Sequence, residues 1–102
     1  MARRAARKDG NHNEIADGLR ALGWYVMDLS RAGMGVPDIL VGKPATAIHR
    51  GVVIPCEIKQ PGKALTPKET DVRKAWEPCS YLVVTSLEDA LEQLSKLLER
   101  HS

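Results

Sequence analysis

The stretch GVPDILVG, residues 35–42, and its sequel PCEIKQPGKALT, residues 55–66, decide how this chain is read. The first sets a proline, which fixes its own backbone, and an acid, Asp38, at the head of the short apolar run DILVG (38–42), which reads as a buried strand. The second belongs to a longer strand, VVIPCEIKQ (52–60), that carries Glu57 and Lys59. Side chains two apart on a strand share a face. Glu57 and Lys59 therefore point one way, while Ile54, Cys56 and Ile58 point into a core. Pro55 within this run predicts a bulge or a strand side left without a partner. If the two runs pair as a hairpin across the wide turn KPATAIHRG (43–51), Asp38 comes to lie beside Glu57. Charges at a sheet cost free energy unless something pairs with them. Either they pair among themselves, or they hold a cation and a phosphate.

Upstream, NHNEIADGLRALG (11–23) reads as a helix, with Ile15, Leu19 and Leu22 at i, i+4 and i+7 and Gly23 as its stop. Asn11 and Glu14 have the spacing of a capping box. WYVMDL (24–29) reads as a strand and SRAGMG (30–35) as a loop. Downstream, the loop PGKAL leads into a helix, TPKETDVRKAW (66–76), with Thr66 as N-cap, Pro67 at the first helical position and Glu69 closing a capping box. Glu69 is accordingly assigned to the cap and not to a site. SYLVV (80–84) is the last strand. SLEDALEQLSKLLER (86–100) is a helix capped by Ser86, with Leu87, Leu91, Leu94 and Leu98 as its apolar stripe. The order is α-β-β-β-α-β-α. The expected organisation is a basic flexible arm over residues 1–10, MARRAARKDG, and a single domain over 11–102.

A chain of 102 residues with 43% hydrophobic residues can bury one core. Aromatics make up 4% and Phe is absent, so that core is expected to be aliphatic, with Trp24 and Trp76 as the bulky members. Cys56 and Cys79 stand 23 apart without a CxxC or CxxH neighbour and read as two buried free thiols. His12, His49 and His101 are not at metal-ligand spacing. No apolar run nears the ~20 residues of a membrane span, and the N-terminus lacks the apolar middle of a signal peptide. A soluble, cytoplasmic protein without a membrane partner is expected. Net charge is +2, but residues 1–76 hold 13 Lys/Arg against 8 Asp/Glu while residues 77–102 hold 2 against 5. The basic part contains the strands quoted above and suits an anionic partner such as nucleic acid.

Asp38 weighs toward the cation. Two carboxylates side by side repel unless a positive charge intervenes, and oxygen ligands of this kind suit Mg²⁺ or Mn²⁺ better than zinc. A neighbouring lysine suits a phosphate oxygen or an attacking water. These are the parts of metal-assisted phosphodiester hydrolysis.

At these residues the chain resembles a known family. GVPD…CEIK resembles the PD-(D/E)xK nuclease signature, with Asp38, Glu57 and Lys59 at its three positions. More narrowly, the NE of the first helix, the GxPD and the E-x-K-x-P-G-x-x-L-T/S-P run resemble the VRR-NUC domain. Small standalone phage and bacterial members of that group are about this size, so the resemblance covers nearly the whole chain. It implies an α/β fold with a restriction-endonuclease-like αβββαβ core, a mixed four-stranded sheet flanked by helices, and a C-terminal helix. It implies a Mg²⁺- or Mn²⁺-dependent, structure-selective DNA endonuclease that works as a homodimer on branched DNA such as four-way junctions, phage-encoded in a bacterial host. Asp38 and Glu57 would bind the metal, helped by the backbone carbonyl of Ile58. Lys59 would orient or activate the water and steady the phosphate charge. Glu14 would match the family's helical acid and complete the metal site directly or through water, and Gln60 would hydrogen-bond near the scissile phosphate. Relatives often carry a glutamine where this chain has Glu69.

For DNA contact, Ser30 and Arg31 lie in the loop before Asp38, and Lys63, Thr66 and Lys68 lie at the start of the second helix, a natural phosphate site. Arg3, Arg4, Arg7 and Lys8 of the arm would add attraction independent of sequence. The rival readings are a nuclease-like module that only binds nucleic acid, and an α/β scaffold whose acids merely pair with Lys59. NHNE (11–14) supports an HNH nuclease poorly, because it has a single histidine at a helix start. The intact Asp38, Glu57 and Lys59 favour the enzyme.

Overall fold

Alternation along the middle strands builds the core. The computed structural model describes residues 10–100. Apart from Gly10 the expected arm, with Arg3, Arg4, Arg7 and Lys8, lies outside the described residues, as does His101. Within them the order is α1 (His12–Ala21), β1 (Tyr25–Asp28), β2 (Ile39–Lys43), β3 (Val52–Ile58), α2 (Pro67–Trp76), β4 (Leu82–Val84) and α3 (Leu87–Arg100), the expected α/β order. The strands form one mixed sheet in the order β1-β2-β3-β4. β2 pairs antiparallel with β1 and with β3, whereas β3 and β4 run parallel. A parallel pair needs a crossover, and α2 lies in it. Among the described residues no helix is long and apolar enough to cross a membrane.

Ile39 and Val41 of β2, Ile54, Cys56 and Ile58 of β3 and Val84 of β4 are buried on one face of the sheet, together with Ile15 and Leu19 of α1 and Ala90, Leu94 and Leu97 of α3. Each large aliphatic side chain among them contributes roughly 1.5–3 kcal/mol relative to an exposed one. α1 and α3 therefore belong to the core layer. Leu97, not Leu98, completes the stripe of α3, while Leu87, Leu91 and Leu98 pack at its margin. Trp24 is buried, but Trp76 is 45% exposed, and Cys79 is exposed, contrary to expectation. Trp76 ends α2, a helix with no buried residue, and Cys79 follows it by three positions. The buried Cys56 thiol is pushed up to about 12 by desolvation, which keeps it inert.

Of two further expectations, one is met in its second form and one changes. β3 pairs with β2 in continuous register through Leu40↔Pro55, so there is no bulge; pairing with β4 begins only at Cys56↔Leu82, which leaves Pro55 without a partner on that side. The Asn11–Glu14 capping box does not form, since the Asn11 side chain makes no cap hydrogen bond. Its Nδ2 donates instead to the carbonyls of Lys59 (3.2 Å) and Thr85 (2.6 Å). Those carbonyls, at the ends of β3 and β4, need donors, and a tertiary partner displaces the local cap. The start of α1 is thereby pinned to the end of the sheet that carries Lys59.

Candidate active site

The register of the β2–β3 pair sets the geometry. Ile39 faces Cys56, so one step earlier Asp38 stands opposite Glu57. Both project from the sheet face away from α1 and α3, as does Lys59 two positions on. Asp38 Oδ2 accepts a hydrogen bond from the Ile58 N–H at 2.9 Å. In a strand the N–H and C=O of one residue face the same neighbour, so the Ile58 carbonyl is directed to the Asp38 side too. Lys59 N–H extends the ladder to the Val84 carbonyl at 3.0 Å, which fixes the lysine stem just past β3.

Glu57 is 3% exposed, and its buried Oε1 has no hydrogen-bond partner among the described residues. Burial first, then the hydrogen bond to Asp38 and the charges of Asp38 and Glu69, push its carboxyl up to about 9. These causes favour the protonated form of Glu57, the form that can donate to Asp38.

Glu69 is at the site, which corrects its assignment to the cap alone. Its Oε1 lies 2.8 Å from Lys59 Nζ and also accepts the Thr66 N–H at 2.8 Å, while Thr66 Oγ1 accepts the Glu69 N–H in return. The capping box is formed as expected, and the same carboxylate reaches across to the sheet. Burial acts to raise the Glu69 carboxyl, but the Lys59 ammonium, the Thr66 N–H and Glu57 together hold it below its ordinary value. Having buried nothing, α2 is held by its caps, this ion pair and the loop before Asp38. A cap is worth ~1 kcal/mol, so the helix is lightly fastened.

Gly35 makes the loop contact possible. It has φ +80°, and a Cβ there would stand 2.7 Å from the Lys68 carbonyl oxygen. Gly35→Ala should cost about 1–3 kcal/mol from backbone strain and push the start of α2, with Glu69, away from Lys59. A denaturation midpoint equal to that of the parent chain would show that α2 does not rest on this loop.

The remaining expected residues divide. Glu14 is exposed on the first turn of α1 and, among the described residues, has no hydrogen bond or ion pair to Asp38 or Glu57. Gln60 Nε2 donates to Asn11 Oδ1 at 3.4 Å, joining it to the start of α1. Ser30 spends both its N–H and its hydroxyl on Asp28 Oδ1. Arg31 is exposed beside a cavity of about 430 Å³ that it lines with Asp28 and Ser30. Lys63 and Lys68 are exposed near the start of α2, and Thr66 is its N-cap. Among the described residues no set of three or more His, Cys, Asp or Glu side chains is arranged to hold a metal ion. Asp38 and Glu57 supply two carboxylates, and the third acid, Glu69, is engaged by Lys59 and Thr66.

Nothing in the sequence marks Tyr81, whose hydroxyl is buried on the same side of the sheet without a partner among the described residues. Compared with protein families, curated proteins and solved structures, the chain matches none.

Proposed function

We propose that this chain is a Mg²⁺- or Mn²⁺-dependent deoxyribonuclease of the PD-(D/E)xK type, similar to VRR-NUC domains, that hydrolyses phosphodiester bonds in branched DNA as a homodimer. The observation that carries this reading is the directly opposed Asp38–Glu57 pair with Lys59 on the same face, Glu57 keeping a buried oxygen without a partner among the described residues. An orphaned carboxylate oxygen beside a second carboxylate and a main-chain carbonyl fits a hard cation. Asp38, Glu57 and the Ile58 carbonyl would hold it. When bound, the cation stabilises charge developing on the phosphate and makes water a competent nucleophile near neutral pH. Lys59, two residues along from Glu57, would meet a phosphate oxygen by exchanging Glu69 for it. The N-terminus of α2, with Lys63 and Lys68 nearby, favours phosphate by its dipole.

Homodimerisation is supported by the WYVMDL strand. Tyr25, Met27 and Val53 are 72, 60 and 69% exposed, and they lie on the side of the sheet away from the core. The leucines of α3 are spent in the core instead. A two-fold pair would present two sites to strands of opposite polarity. Light scattering with size exclusion should report about twice the 11.2 kDa chain mass, and a monomer at micromolar concentration would overturn this part.

One observation favours the rival, a module that binds nucleic acid without cutting it: Lys59 Nζ already sits 2.8 Å from Glu69. Labelled four-way junction, flap and plain duplex, offered to purified protein with Mg²⁺, Mn²⁺ or chelator, separate the two. The nuclease cuts the junction with either metal and not with chelator, and Mn²⁺ raises its melting temperature because it binds only the folded chain. Tight binding with no cutting supports the rival, and neither binding nor cutting removes both.

A further inference from the structure

The acidic sum of the C-terminal segment conceals a sorting of charge. On α3, Gln93, Lys96, Leu97 and Arg100 recur at i, i+3, i+4 and i+7, one face of a helix. All four line a groove of about 490 Å³ whose other wall includes Arg73 and Glu77 at the end of α2. The acids of α3, Glu88, Asp89, Glu92 and Glu99, do not line it. Within the groove three cations thus face one acid. Lys96 lies 3.9 Å from Glu92, but both are well exposed, and such a pair is worth little.

Tyr81 joins this groove to the acid cluster. It lines the groove. In the parallel register Cys56 faces Leu82, so Tyr81 stands beside Pro55 on the face from which Glu57 projects. Its hydroxyl is buried and has no hydrogen-bond partner among the described residues. Burial and then the charges of Glu57, Glu69 and Asp38 push it up to about 12 against the pull of Arg73, so it remains a donor. Tyr81 thus links the face that carries the acids to the cationic groove.

We propose that the groove lined by the ends of α2 and α3 is a nucleic-acid path, in which the backbone of a DNA strand leaving the Asp38–Glu57 site runs past Tyr81 and is neutralised by Arg73, Lys96 and Arg100. The proposal rests on the nuclease reading above. Cations spread over the ends of two helices suit a linear polyanion, and Tyr81, which lines the groove and stands on the face of Glu57, gives that polyanion a direction.

The test is anisotropy of a labelled duplex and of a labelled four-way junction, in chelator, over a series of salt concentrations. Each lost phosphate contact should reduce the slope of log affinity against log salt by ~0.9. The double variant Arg73→Gln/Lys96→Gln should therefore lose roughly two units of slope, while Lys74→Gln, outside the groove, should leave it unchanged. DNA binding with an unaltered slope in the double variant would overturn the path and spare the nuclease reading. Polyglutamate competing as well as DNA at equal charge would overturn the nucleic-acid assignment of the groove. A parent chain that binds no DNA at low salt would remove the nuclease reading itself.

Discussion

Asp38→Asn or Glu57→Gln should lower metal-dependent cleavage by ~10³-fold or more while the chain stays folded. The cation is asked for several kcal/mol of transition-state stabilisation, and each ~1.4 kcal/mol is a factor of ten. Either replacement keeps the shape of the side chain. In Asp38→Asn the amide oxygen can still accept the Ile58 N–H that Asp38 now takes at 2.9 Å. Retained cleavage in protein freed of contaminating nuclease would sink the assignment of these acids.

The same variants carry a second reading that needs no activity. In the metal-free chain the Glu57 carboxyl is raised from 4.5 to about 9. Between those values the folded state holds a proton that the unfolded state has released. The stability contributed by this proton is therefore complete below pH 4.5 and is lost as pH rises toward 9. Glu69, shifted downward, contributes in the opposite sense at lower pH. Glu57→Gln should remove the alkaline loss, giving a metal-free chain that is more stable than the parent at about pH 8 yet no longer stabilised by Mn²⁺. Melting curves across pH in chelator check this, and a parent chain whose midpoint is flat from about pH 5 to 9 would contradict it.

Why is so much of the site legible in the sequence? Asp38, Glu57 and Lys59 follow from two local rules, the two-residue period of a strand and the hairpin register that brings 38 opposite 57. Both rules operate within a short span of chain. Glu69 is hidden because its sequence signal is already explained: an acid three residues after a threonine N-cap satisfies a helix start and gives no sign that the same oxygen also reaches a lysine. Asn11 misleads for the converse reason. Its capping pattern is present, but the carbonyls of Lys59 and Thr85, 48 and 74 residues away, compete for the same side chain. Trp76 and Cys79 read as core because apolar residues usually pack. α2, however, covers a face whose occupants are Glu57 and Lys59, and a helix over a charged site buries little. The failures thus gather where one element serves the site instead of the core.

Lys59→Ala should reduce turnover by about 10²–10⁴-fold, the usual worth of a positioned proton-transfer or charge-stabilising group, and should spare Mn²⁺ binding as followed by calorimetry. Its structural consequence must be separated from its chemical one, because Lys59 Nζ and Glu69 Oε1 are 2.8 Å apart with side chains only 13 and 16% exposed. Removing the ammonium leaves a partly buried carboxylate facing Glu57, a loss of about 1–3 kcal/mol that would loosen α2. Glu69→Gln makes the separation. An amide oxygen can still accept the Thr66 N–H, so the cap survives, while the ion pair is lost and the lysine keeps its charge. If Lys59 acts on the phosphate, Glu69→Gln should cut DNA within a few-fold of the parent rate, and a glutamine is what the resembling family often carries there. The double variant Lys59→Ala/Glu69→Gln should recover the stability lost in Lys59→Ala, because no unpaired carboxylate remains, but none of its turnover. Turnover that returns together with stability would make Lys59 a fastener of α2, with no part in the chemistry.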